Sequence, residues 1–201
     1  MLDLTSIGLN KGIHYETIIT TKYNDISNAA PIGVICTGKD TVMCRIFNTS
    51  NTLRNIYKTR EFIVNVLNNP LAFTYATLST VPDNYLSSDN SIKCANSYFK
   101  CSVESLKEVV KSNDPVNKSQ KCLIKAKVTD IKKNNSEKPL NRAMDLIVES
   151  VYNFNRIGED PEYYINRFKE AKRVINKVGS KKEKLAIRIL IEELNKKNIE
   201  L

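Results

Sequence analysis

The stretch Asn28-Ala29-Ala30-Pro31-Ile32-Gly33-Val34, followed by Arg45-Ile46-Phe47-Asn48-Thr49-Ser50-Asn51-Thr52-Leu53-Arg54-Asn55, decides how this chain is read. The first segment reads as a strand entered through a turn. The second reads as a strand that ends in a cluster of small hydroxyl and amide side chains, just before a short helix. Ser50 is placed to cap that helix, whose first backbone N–H groups have no partner within it. An anion at this junction meets those N–H groups, several hydroxyls and the Arg45 guanidinium, which together suit a phosphate. The plainer reading is that Thr49 and Ser50 only cap the helix and Arg45 points to solvent. The density of donors between Arg45 and Asn55 exceeds what capping needs.

Working outward, His14 to Thr21 is rich in β-branched residues and predicts a first strand. Lys22 to Asn28 supplies turn residues, and Ala29 to Thr37 predicts a second strand with Pro31 near its start, where a missing N–H costs least. Gly38-Lys39-Asp40 closes a hairpin into a third strand, Thr41 to Phe47. Asn51 to Arg60 is expected as a short helix, Phe62 to Leu67 as a central apolar strand, and Pro70 to Leu78 as a helix with proline in its first turn. Thr80 to Asn96 reads as a surface loop. Ser97 to Val103 and Leu106 to Val110 are expected as two strands, with Glu104 to Lys111 equally readable as helix. Cys122 to Ile131 alternates as a late strand with one wet face.

At Lys132 to Lys138 the composition turns polar, and beyond it the apolar period changes from two to about 3.6. Leu140, Met144, Ile147, Val151 and Phe154 predict one helical face, and Tyr164, Phe168, Ala171, Ile175 and Val178 a second. Asp160-Pro161-Glu162 starts the second helix, Gly179 stops it, and Lys181 to Asn195 forms a third. The expectation is an α+β protein: residues 1–135 as a β-barrel-like body and 136–201 as a three-helix extension packing on the barrel or on a partner.

Composition bounds the chemistry. With 41% apolar and 26% charged residues the chain is globular. Its net charge of +9 is spread out, 18 basic against 12 acidic residues up to Lys138 and 13 against 10 after it. A diffuse excess of this kind suits a solvated surface or attraction for a small anion better than nucleic-acid binding. Five cysteines without a CxxC pair, and no signal-peptide pattern, point to a reducing cytoplasm, with Cys36 and Cys44 as small core residues. No apolar window is long enough to span a membrane. One histidine leaves no multi-histidine metal site. His14 and Glu16 fall on one strand face and form a conceivable acid/base pair. Gly-x-Gly-x-x-Gly and Walker patterns are absent, so a phosphate must be held by side chains and a helix end.

The run Glu16 to Thr21, the segment Asn28 to Val34, Arg45 through Ser50 with Thr52 and Asn55, and Asn65-Val66 together resemble an uncharacterised microbial family of FMN-binding split β-barrels related to the flavin reductases. Asn141-Arg142-Ala143 and Glu149 resemble the tail region of that family. Ser27 departs from it, where proline is expected. The resemblance implies a split β-barrel followed by a C-terminal helical region, and a homodimer with one FMN per subunit at the dimer interface. By the same likeness, Asn28, Ala29, Ala30, Pro31 and Ile32 would lie along the isoalloxazine edge. Arg45, Thr49, Ser50, Thr52 and Asn55 would hold the phosphate and ribityl chain. Hydride transfer to flavin is carried by the cofactor, so a chain with one histidine can support it, with NAD(P)H as the implied donor. Catalytic residues are not identified by the sequence. A non-enzymatic FMN or planar-anion binder is the competing reading, and a nucleic-acid binder the third.

Overall fold

A computed structural model describes residues 2–79, 81–110 and 120–199. The chain divides into two compact units, Met1–Leu140 and Asn141–Leu201. The first extends past residue 135 because the following segment is tied back to it. Asn96 Nδ2 donates to Glu137 Oε2 at 2.9 Å, Asn68 Nδ2 to the Lys138 carbonyl at 3.1 Å, and the Glu16 N–H to the Leu140 carbonyl at 2.9 Å.

Six strands form the first unit: β1 (His14–Tyr23), β2 (Ile26–Cys36), β3 (Thr41–Phe47), β4 (Glu61–Val66), β5 (Ser97–Val110) and β6 (Gln120–Lys133). They close an antiparallel barrel in the order β1-β2-β3-β6-β5-β4. Helix α1 (Asn51–Thr59) joins β3 to β4, and α2 (Pro70–Thr77) follows β4. Alternation sends Val34, Cys36, Val42, Cys44, Ile46, Val64 and Phe99 into the barrel core, where Leu53 and Ile56 of α1 join them. A second cluster under α2 gathers Ile18, Ala29, Leu67, Ala72 and Ala76.

Three sequence expectations change. The turn expected over Lys22 to Asn28 shrinks to Asn24-Asp25, both left-handed (φ 50° and 62°), as a two-residue hairpin requires, so Asn28 lies inside β2. The two strands expected between Ser97 and Val110 are one, irregular in register between Lys100 and Cys101 and between Val103 and Ser105. The bulges shift the alternation, which is why local pattern broke the strand in two and allowed a helix over Glu104 to Lys111. The chain is strand up to Val110, and Lys111 lies outside the described residues. The loop expected over Thr80 to Asn96, of which Thr80 also lies outside them, contains a 3-10 turn at Asp83–Tyr85 and a bridge from Leu86 to Ile92.

All five cysteines are free, and burial pushes the Cys36 and Cys44 thiols up to about 12. Only the thiolate reacts readily. Thiol titration of the native protein is therefore expected to find Cys94, the exposed one, react promptly, and the other four only on unfolding. Prompt reaction of more than one thiol would show the barrel core open.

The second unit contains α3 (Ala143–Arg156), α4 (Pro161–Val178) and α5 (Lys181–Lys196). On α4, Tyr164, Phe168, Ala171, Ile175 and Val178 are buried, as their spacing predicts. On α3 the buried face is Ala143, Ile147, Ser150 and Asn153, whereas Met144 and Val151 are exposed, a rotation from the expected stripe. Small and polar residues occupy that face, so apolar spacing misplaced it. Gly179 ends α4 in extended backbone, where any Cβ would sit 2.7 Å from the Ile175 carbonyl oxygen. Close approach, not a left-handed turn, selects glycine there. No helix of the described residues is long and apolar enough to cross a membrane.

Candidate functional site

The barrel is closed but not fully laddered. β2 pairs with β1 from Ile26 to Ile35, yet with β3 only at Val34, Ile35 and Cys36. From Ile26 to Gly33 the other edge of β2 has no strand partner, and Arg45 to Phe47 of β3 pair only with β6. The direction of the backbone groups follows from the turn. A two-residue hairpin makes Tyr23–Ile26 a hydrogen-bonded pair, and alternation then makes Thr21–Asn28, Ile19–Ala30, Thr17–Ile32 and Tyr15–Val34 the others. The N–H and C=O groups of Ser27, Ala29 and Gly33, with the C=O of Pro31, consequently face the open edge. Pro31 is tolerated inside the strand because its missing N–H would point where no strand lies.

Within the Asn28 to Ile32 segment, Asn28, Ala30 and Ile32 share the inward face with Val34. Ala29 is buried in the cluster beneath α2, and Pro31 is exposed on the outward face. Asn28 Nδ2 donates to Thr52 Oγ1 at 2.9 Å, and Asn55 Nδ2 to Thr21 Oγ1 at 3.0 Å. These two bonds sew α1 onto the β1–β2 hairpin, and Thr52 is only 1% exposed. Ser50 caps α1: its hydroxyl accepts the Leu53 N–H at 3.2 Å and donates to the Phe47 carbonyl at 2.8 Å. The Arg54 N–H goes to the Ser50 carbonyl. This leaves the first-turn amides of Asn51 and Thr52 with no hydrogen-bond partner among the described residues.

Arg45 projects from the outer face of β3 and is exposed, as is Thr49 in the turn that follows. Neither side chain has a hydrogen bond or ion pair among the described residues. The expected residues therefore divide into two groups. Arg45 and Thr49, with the Asn51 and Thr52 amides, are available donors at the α1 N terminus. The side chains of Ser50, Thr52, Asn55 and Asn28 hold that terminus in place beside the open edge of β2. Ser50→Ala is accordingly expected to cost about 1 kcal/mol of stability in denaturant titration. No change in stability would mean that the cap contributes nothing.

Residues that sequence reasoning missed flank the same region. Ser79, Val81, Asp83 and Leu86, from the segment after α2, enclose a cleft of about 300 Å³ with Asp25 to Ala29 of the β1–β2 hairpin. Their only sequence signal was a polar loop composition. Asn48, beside the cap, has an enclosed side-chain oxygen without a partner among the described residues. The His14 ring is seated against Gly33, where a Cβ would overlap its Nε2. The described residues include no group of three or more His, Cys, Asp or Glu side chains able to hold a metal ion.

Residues 15–137 match the family model described as protein of unknown function (DUF447), N-terminal domain. An uncharacterized protein of Methanocaldococcus jannaschii is 28% identical over 190 residues, covering 90% of this chain and 97% of its own. Among solved structures, an FMN-bound protein of Methanosarcina mazei assigned to the same family superposes with a TM-score of 0.55 at 23% identity, over 94% of this chain and 99% of its own. The flavin reductase of styrene monooxygenase from Pseudomonas putida S12 superposes at 0.50 with 14% identity, over 62% of this chain and 83% of its own. Component B of nitrilotriacetate monooxygenase from Mycobacterium thermoresistibile does so at 0.50 with 18% identity, over 65% and 75%. The barrel is thus the split β-barrel of the flavin reductases.

Proposed function

Because the chain belongs to the DUF447 family, whose model spans most of its barrel, we propose that it is an FMN-binding flavoprotein of flavin-reductase type, working as a homodimer with NAD(P)H as electron donor. The observation that carries the reading is the open edge of β2 from Ile26 to Gly33, beside a helix N terminus with two unpartnered amides. FMN needs both features. Its phosphate dianion suits the Asn51 and Thr52 N–H groups, the Thr49 hydroxyl and the Arg45 guanidinium. The alternating donors and acceptors of its pyrimidine edge suit the backbone groups that Ser27, Ala29, Pro31 and Gly33 turn outward. The FMN-bound state of the Methanosarcina mazei protein supports the same assignment.

Bound FMN would supply the hydride and electron chemistry. This chain's part is to bind and orient it. Ser50, and the Asn28–Thr52 and Asn55–Thr21 bonds, fix α1 so that its amides do not have to be reorganised on binding. The partner subunit would complete the pocket in the dimer.

The direct test is the visible spectrum of the purified protein, followed by FMN titration. A flavin absorption band, or quenching of added FMN fluorescence, is expected. Protein that is colourless and leaves added FMN unquenched overturns the assignment. Anaerobic stopped-flow with NADH and NADPH then separates a reductase from a protein that only holds FMN, since a carrier reduces it no faster than free flavin is reduced. Sedimentation of the loaded protein at monomer mass would remove the dimer from the reading.

A further inference from the structure

We infer that the seam between β1 and β4 is a second small-molecule site, one that takes a primary carboxamide. These strands pair only from Ile18 to Thr20 against Asn65 to Ile63. Beyond that point β1 keeps a partner only in β2, and β4 only in β5, so the two edges part. The alternation that turns Ser27 and Ala29 outward on β2 turns the N–H and C=O of Lys22 toward this seam on β1. The residue opposite in register is Glu61, but its N–H is already occupied. Thr59 Oγ1 accepts the Glu61 N–H at 3.3 Å, and its one hydrogen is shared between the Asn55 and Glu61 carbonyls, each 3.1 Å away. A side chain of α1 has taken the position of the strand, and Lys22 presents an adjacent donor and acceptor without a ladder partner.

The parted strands leave a cleft of about 320 Å³, walled also by Ser88, Asp89 and Asn90 from the loop before β5. Asn90 is only 8% exposed, and its side-chain oxygen has no hydrogen-bond partner among the described residues. An enclosed acceptor in that condition is rare in folded proteins and calls for a donor. Both lysines of the cleft have carboxylate partners. Lys22 pairs with Asp25 at 3.2 Å and Lys100 with Asp89 at 3.7 Å. Asp89 also accepts from Ser87, Ser91 and Tyr98, so it has no need of a ligand donor. Among the groups left are the Lys22 N–H, the C=O beside it, and the enclosed Asn90 Oδ1. A primary carboxamide carries the complement: its oxygen for the Lys22 N–H, one amide hydrogen for the Lys22 carbonyl, and the other for Asn90 Oδ1. Neither a carboxylate nor a fully ionised phosphate offers a hydrogen to Asn90 Oδ1. The site lies by the C-terminal end of α1 and does not depend on the flavin reading.

The test uses nicotinamide as probe and nicotinate, which has the same ring without the amide hydrogens, as control. Amide resonances of the full chain are followed by NMR. Nicotinamide is expected to shift Thr20 to Lys22, Glu61 to Ile63 and Ser88 to Asn90, and nicotinate to leave them in place. Asn90→Gly removes the acceptor at a left-handed position (φ 68°) that glycine adopts without strain, so the fold is retained. It should weaken nicotinamide at least tenfold with an unchanged or raised Tm, while Asn90→Asp, which keeps an acceptor oxygen, should bind. Were Asn90 present only for its backbone conformation, Asn90→Gly would bind nicotinamide as the parent does. That result, equal binding of nicotinate, or shifts confined to other residues would overturn the assignment.

Discussion

Asn65→Ala is expected to destabilise the barrel by about 3–5 kcal/mol, because it leaves several buried polar groups without partners. Asn65 is fully buried. Its Nδ2 donates to the Ile18 carbonyl at 3.0 Å and to Thr20 Oγ1 at 3.1 Å, and its Oδ1 accepts the Ile92 N–H at 2.7 Å. One side chain thereby joins β4 to β1 where their ladder is only three pairs long, and anchors the loop that leads into β5. Truncation leaves the Ile92 N–H with no means of recovering a partner from solvent. Urea denaturation gives the stability change, and hydrogen exchange should show Ile92 and its neighbours opening before the rest of the barrel. A loss below about 1 kcal/mol, the net worth of a single ordinary hydrogen bond, would mean that water enters and replaces the side chain.

Arg45→Ala is expected to weaken FMN binding by about 1.5–3 kcal/mol, the usual value of a hydrogen bond to a charged group, or roughly 10- to 150-fold. The guanidinium is exposed and has no partner among the described residues. Its removal therefore leaves no buried charge behind, and stability should hardly change. Riboflavin, which lacks the phosphate, is the control. Its affinity should be the same for parent and variant, and the difference between the two flavins should narrow as salt screens the phosphate. Equal loss for FMN and riboflavin would place Arg45 against the ring or ribityl chain, and no loss would remove it from the site. Ser50→Ala complements this test. A drop in stability with FMN affinity intact would make Ser50 a cap and nothing more.

The two variants probe the two levels at which the site is built. Ser50, Thr52 and Asn55 all stood out in the sequence as polar side chains near a helix start, and pattern alone had no means of distinguishing them. In the fold they separate, because α1 buries Thr52, Leu53 and Ile56 and turns Asn55 toward Thr21. Hydroxyls and amides that read as ligand donors are committed to joining elements, and the donors left free include main-chain N–H groups that no sequence pattern displays. The same holds for β2. Its residues were legible as a strand, yet that its edge is open depends on where β3 diverges, more than ten residues away along the chain.

What the sequence by itself determined was every element whose signal is local. β-Branched richness marked β1, an apolar run β4 and alternation β6; the period of 3.6 marked α4; and Ser50 and Asp160 mark helix starts that their side chains then cap. It failed at β5, where bulges break the period, and on α3, where Ser150 and Asn153 take the buried face. Only the tertiary structure decided the seams: the unpaired edge of β2 beside α1, and the parting of β1 from β4 around Asn90. Strand pairing is set by register between distant segments, and a ladder that stops after three pairs leaves no trace in either strand's own residues.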